Sequence, residues 1–125
     1  MRFLIVDDSP TIRRVISLAL KAIGRNEIEE ASDGEEALGK VISERIEFII
    51  TDWNMPVMNG YEFLLKIRNN PDTKTIPVIM VTTKATKEDV IAAFKAGISN
   101  YIVKPFTPNE LQKKVYEVLN RKSIY

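Results

Sequence analysis

The sequence predicts an α/β fold, a doubly wound sheet of five parallel strands flanked by five helices. Three observations predict it. Five short apolar runs recur along the 125 residues. Segments with helix-start and helix-stop signals separate them. All but the second run are continuously apolar rather than alternating, the pattern of strands covered on both faces. Regular βα alternation implies parallel strands joined by right-handed crossovers.

The elements follow in order. The strands are expected at Phe3–Val6, Ile28–Ala31, Phe48–Thr51, Val78–Val81 and Tyr101–Val103. Ser9-Pro10 places an N-cap before a proline at the first helical position, opening a helix that runs toward Gly24. Ser32-x-x-Glu35, Asn59-x-x-Glu62 and Thr107-x-x-Glu110 have capping-box spacing. Thr86 with Asp89 is a weaker start for the fourth helix, and Gly97 ends it. Residues 69–77 form a loop. Gly39, inside the second helix, costs about 1 kcal/mol relative to Ala and has no functional account.

Composition narrows the chemistry. The length suits one domain, and 45% hydrophobic with 28% charged residues suits a globule with a real core. No window approaches the roughly 18 apolar residues of a membrane span. The start, MRFLIVDD, does not resemble a secretory signal. There is no Cys and no His, which removes disulfides, thiolate chemistry, Ser-His-Asp triads and any phosphohistidine relay within the chain. This balance fits a cytoplasmic protein. Net charge is +1, with 7 Lys/Arg against 12 Asp/Glu in residues 1–62 and 11 against 5 in residues 63–125. Nucleic-acid binding wants a stronger basic excess.

The polar residues fall where strands end. Asp7-Asp8 follow the first strand, Asp52 the third, Thr82-Thr83 the fourth and Lys104 the fifth. In a parallel sheet these ends share one edge, the edge where open α/β sheets bind ligands. Converging carboxylates repel unless one is protonated or a cation joins them. A hard divalent cation such as Mg²⁺ takes one or two carboxylates, waters and phosphate oxygens. Lys104 adds positive charge. Asp carboxylates can accept phosphoryl groups, and a metal with a Lys would stabilise charge on the group in transfer. Singly, each of these residues reads as an ordinary turn, cap or solvated charge. Their coincidence on one edge is the functional signal.

At this point the chain resembles a response-regulator receiver domain. The resemblance rests on VDDSP (6–10), TDWNMPVMNG (51–60), VIMVTT (78–83) and NYIVKPFTP (100–108), in that order and spacing. It spans residues 1–125, read as a single receiver domain without an output domain, and is greatest to stand-alone CheY-like chemotaxis members. The resemblance implies a flavodoxin-like strand order 2-1-3-4-5. It implies that Asp52 accepts a phosphoryl group from a chemotaxis-type histidine kinase, so the protein signals rather than turning over a substrate. Asp7, Asp8 and Asp52, with the backbone carbonyl of Asn54, would hold Mg²⁺. Lys104 would pair with the phosphoryl group, and its bond to Pro105 would be cis. Thr82 would swing toward the phosphoryl group, and Tyr101 would move inward from a more exposed rotamer. Helix 4, strand 5 and helix 5 would form the output face, containing Lys87, Val90, Phe94, Lys95, Tyr101 and Lys114. It would bind the flagellar motor switch or another output protein, and a phosphatase is a further possible partner. Phe94 is either core or an apolar anchor beside Tyr101 ringed by Lys. Lys84, two residues after Thr82, departs from the acidic or polar residue often found there.

Rival readings remain at this point. Another phosphorelay would share the chemistry and differ in partner. A Mg²⁺-dependent phosphohydrolase often carries a second Asp two residues after its nucleophile, where this chain has Asn54. A flavin binder of similar fold would need a phosphate-cradling loop where VDDSPT presents two carboxylates.

Overall fold

The computed structural model describes residues 1–124, with side chains through Arg121. Five parallel strands stand in the order β2-β1-β3-β4-β5. They are β1 (Phe3–Val6), β2 (Ile28–Ala31), β3 (Phe48–Thr51), β4 (Val78–Thr82) and β5 (Asn100–Val103). The helices are α1 (Pro10–Lys21), α2 (Gly34–Ser43), α3 (Gly60–Asn69), α4 (Lys87–Ala96) and α5 (Pro108–Ile124). The fourth strand runs one residue beyond its apolar run, to Thr82. The fifth starts one residue earlier, at Asn100.

Alternation within the strands divides the core. Leu4, Val6, Ile49, Val78 and Met80 point to the face covered by α2, α3 and α4, where Phe63, Leu64 and Ile67 pack on them. Phe3, Ile5, Phe48, Ile50, Ile79, Val81 and Ile102 point to the opposite face, onto Ile16, Leu20, Leu111 and Val115 of α1 and α5. Both faces of the central strands are therefore dry, which explains why their sequences lack a polar alternate. Strand β2, IEEA, lies at the sheet edge and carries Glu29 and Glu30, a charge pattern that discourages edge-to-edge pairing.

The helix starts hold with one correction. Ser9, Asn59 and Thr86 accept from the backbone N–H three residues on, and Asn59 with Glu62 forms the full reciprocal box. Thr107 accepts from Glu110 N–H at 3.1 Å, but Glu110 reaches back to the Thr107 hydroxyl rather than to its amide. The cap of α2 is Asp33, not Ser32. Its carboxylate accepts from Glu36 N–H at 2.8 Å, while the Ser32 hydroxyl donates to the Glu36 side chain. A carboxylate is the better acceptor for amides at the positive end of a helix, so the start moves one residue. Gly97 ends α4 at φ 107°, a left-handed cap.

Candidate functional site

The parallel register brings the carboxyl ends of β1 and β3 side by side. Val6 pairs with Thr51, and Asp52 N–H donates to Val6 C=O at 2.9 Å. Asp7 and Asp52 therefore leave adjacent strands at one level. The loop after β5 brings Lys104 against both. Its Nζ donates to Asp7 Oδ2 at 2.8 Å and to Asp52 Oδ2 at 2.9 Å. Asp8, exposed beside them, offers a third carboxylate, and oxygens of Asp7, Asp8 and Asp52 lie within 4.8 Å of one another.

The remaining oxygens are held by backbone. Asp7 Oδ1 accepts from Ser9 N–H at 2.9 Å, and Asp52 Oδ1 from Trp53 N–H at 2.6 Å. Two of the three clustered carboxylates bond the Lys104 ammonium, and the third, Asp8, lies beside them. Burial pushes the Asp7 carboxyl above its ordinary range, and its hydrogen bond to Lys104 only partly offsets that. Burial would lower Lys104, but its bonds to Asp7 and Asp52 outweigh it and raise the ammonium pKa. Both are raised, for different reasons: burial prevails at Asp7, which shares its cation with Asp52, whereas two anions prevail over burial at Lys104. The cluster is short of positive charge. A hard, oxygen-only donor set of this kind fits a divalent cation such as Mg²⁺.

Glycine shapes the loop after Asp52. A Cβ at Gly60 would collide with the Asp52 carbonyl oxygen, and Gly60 N–H donates to Trp53 C=O at 2.8 Å. In the structure Asn59 caps α3, and Gly60 permits its close approach to the end of β3. The left-handed conformation instead falls on Val57, at φ 68° and 75% exposed, in a tight turn closed by Met58 N–H to Pro56 C=O at 2.7 Å. A β-branched residue is the last expected there.

The other expected residues are placed as follows. The Lys104-Pro105 peptide is cis. Asn54 is exposed in the loop after Asp52. Thr82 is fully buried at the end of β4, and its hydroxyl accepts from Lys84 N–H at 3.3 Å. Tyr101 stands inward, 8% exposed, with its hydroxyl donating to Lys84 C=O at 2.6 Å. The exposed starting rotamer expected for it is not the one in this structure, where burial and that hydrogen bond hold the ring in. Burial, then the charges of Asp89 and Asp52, push its phenol up to about 12. The Lys84 ammonium lies over the Trp53 ring, 5.2 Å from its centre, and Trp53 stacks on Tyr61. Lys84 thus ties Thr82, Tyr101 and the Asp52 loop together.

On the α4 side, Phe94 is half-exposed, so it is not core, and Lys87 and Lys95 are exposed. Val90 does not share that exposed face. It packs partly buried against the cluster that contains Tyr101. Lys114 is half-buried beside a groove of about 330 Å³ that Tyr101 and Val103 also line.

Residues 3–116 match the family model described as the response regulator receiver domain. The chain belongs to that family. This receiver is 48% identical to the chemotaxis protein CheY homolog of Campylobacter jejuni strain 81-176, over 95% of this chain and 92% of that one. Its fold superposes on the chemotaxis response regulator CheY4 of Vibrio cholerae with a TM-score of 0.87 at 40% identity, covering 94% and 97% of the two chains. The receiver domain of the sensor histidine kinase PA1611 of Pseudomonas aeruginosa, with magnesium coordinated in its active-site cleft, matches at TM-score 0.84 and 28% identity, covering 95% and 97%. The receiver is therefore CheY-like, and its likeness is to chemotaxis response regulators. Among the described residues no helix is long and apolar enough to cross a membrane.

Proposed function

We propose that Asp52 accepts a phosphoryl group from a histidine kinase, and that this single receiver domain relays the change to an output protein. The observation that carries the reading is Lys104 Nζ bridging Asp7 and Asp52 beside Asp8. An oxygen of Asp52 attacks the phosphorus, the bond from phosphorus to the donor imidazole nitrogen breaks, and an acyl phosphate forms. Lys104 releases Asp52 Oδ2 and turns its ammonium to a phosphoryl oxygen while Asp7 keeps hold of it. Mg²⁺ held by Asp7, Asp8, Asp52 and the Asn54 carbonyl would neutralise charge on the transferring oxygens. Trp53 N–H keeps the second Asp52 oxygen oriented.

The readout runs through Thr82. Its hydroxyl leaves Lys84 N–H for the phosphoryl group, and the carbonyl of the same residue holds the Tyr101 hydroxyl. The α4–β5–α5 face, with Lys87, Phe94, Lys95 and Lys114 around Tyr101, then changes its affinity for a partner. Half-exposed Phe94 among lysines suits an amphipathic acidic segment. The likeness to chemotaxis regulators supports the flagellar motor switch as output, a chemotaxis-type kinase as donor, a phosphatase as a further partner and the cytoplasm as the place. The chain acts as a phosphoacceptor rather than as an enzyme with turnover on a separate substrate.

Intact mass after incubation with acetyl phosphate tests this directly. The wild type gains one phosphoryl group only with Mg²⁺, and Asp52→Asn gains none. A rapidly quenched wild type without an adduct overturns the reading.

A further inference from the structure

We infer that Arg13 is a positioning residue for the cation-binding carboxylates, and that Glu30 on the edge strand holds it in that role. The inference rests on the Mg²⁺ reading above. Arg13 stands one turn into α1, with its side chain 18% exposed. Its Nη1 donates to the backbone carbonyl of Asp7 at 2.7 Å, and its Nε donates to Glu30 Oε1 at 2.9 Å. A planar fork suits two acceptors held at a fixed angle, which one ammonium cannot reproduce. The backbone of Glu30 is held in turn, because Lys40 Nζ donates to its carbonyl from α2.

The consequence lies in the backbone. With Arg13 in place every polar atom of Asp7 has a partner. Its N–H donates to Ala31 C=O at 3.1 Å, its carbonyl accepts from Arg13, Oδ1 from Ser9 and Oδ2 from Lys104. The peptide unit is planar. Holding the Asp7 carbonyl oxygen therefore fixes the plane from which Asp8 departs. Asp8 is exposed at the surface of the cluster. Its approach to a shared cation is set by the chain that leads into it. Arg13 thus acts on both carboxylates through one peptide group, without touching the cation.

Charge and position make opposite predictions. If Arg13 acted only through its charge, removing it would lessen repulsion and tighten cation binding. If it positions the Asp7-Asp8 peptide, removing it weakens binding, by about 10–100-fold as for other outer partners of metal ligands. The experiment is a Mg²⁺ titration of the full chain followed by the fluorescence of Trp53, the only Trp, whose amide touches Asp52. Arg13→Ala is expected to lose roughly tenfold or more in affinity, and Arg13→Lys to recover only part of it. Glu30→Ala is expected to lose less in the same direction and to add little on top of Arg13→Ala. Thermal unfolding of each variant separates a site effect from a folding defect, and Arg13→Lys, which keeps the charge and loses the fork, keeps the test open if Arg13→Ala does not fold. Equal or tighter Mg²⁺ binding by the folded Arg13 or Glu30 variants overturns the inference. Absence of Mg²⁺ binding by the wild type overturns the underlying site reading, and the inference with it.

Discussion

Val6 and Asp7 are neighbours in the chain and are equally buried, at 1% exposure each. One lies in a sheet whose two faces are filled by apolar side chains. The other begins a rim of carboxylates, an ammonium and hydroxyls at the strand ends. The sheet layer satisfies every rule of a stable interior. The rim buries Asp7, Asp52 and Thr82 with only one cation for three clustered carboxylates. The contrast teaches where stability comes from and where it is given up: the layer beneath is packed tightly enough to hold repelling groups above it in place.

The largest expected effect comes from breaking the lower layer. Ile50 is fully buried in the central strand, two residues before Asp52. Ile50→Ala leaves a cavity and should cost about 2–5 kcal/mol, read by urea unfolding. Because its contacts lie below the rim, the fraction still folded should take up one phosphoryl group, the same outcome proposed for the wild type. Loss of the adduct from folded protein would show that the two layers are not separable.

A second experiment breaks the rim instead, and the sign reverses. Burial holds the Asp7 carboxyl above the ordinary value of 3.8. An acid whose folded pKa is raised contributes stability that is full below its unfolded pKa and lost as pH rises through the folded one. The charged form of Asp7 is therefore a cost in the metal-free protein. Asp7→Asn should unfold at a higher temperature than the wild type without metal at pH 7, and its advantage should vanish as pH falls toward 3.8. Its affinity for Mg²⁺ should fall by at least about tenfold. A lower melting temperature at pH 7 would mean that the Lys104 bridge outweighs burial, and that the rim is stabilising as it stands.

The sequence reveals these two layers unequally. The lower layer is legible because apolar continuity and helix starts are local signals; all five strands fall within a residue of where the runs place them. The convergence of Asp7, Asp52 and Lys104 is legible too, since parallel topology alone puts strand ends on one edge. What sequence conceals is set by contacts between distant backbones. Nothing local says that Gly60 lies against the Asp52 carbonyl, or that Val57 rather than Asn59 or Gly60 takes the left-handed turn. Nothing in the sequence sets Arg13 apart from Arg14 beside it; its fork between Asp7 and Glu30 is visible only in the structure. The inward ring of Tyr101 is likewise a choice between rotamers, decided by a carbonyl at residue 84.

That ring offers the finest test, because Tyr101 belongs to both layers. Its ring packs with the core cluster of Leu4, Val6 and Met80, while its hydroxyl reaches the Lys84 carbonyl that borders the rim. Tyr101→Phe keeps the first role and removes the second. At neutral pH the variant should lose on the order of 1 kcal/mol, the worth of one hydrogen bond. Raising the pH should then narrow the gap. The phenol titrates near 10 when unfolded and at about 12 when folded. With the folded value raised, its contribution is full below pH 10 and is lost as pH rises through about 12. The wild type should therefore lose stability over that interval relative to Tyr101→Phe, which has no phenol to ionise. Urea unfolding of both proteins at neutral and alkaline pH measures the gap. A gap that stays constant up to pH 12 would mean that the hydroxyl is not held in the fold, and that the link from Lys84 to the ring is not formed in solution.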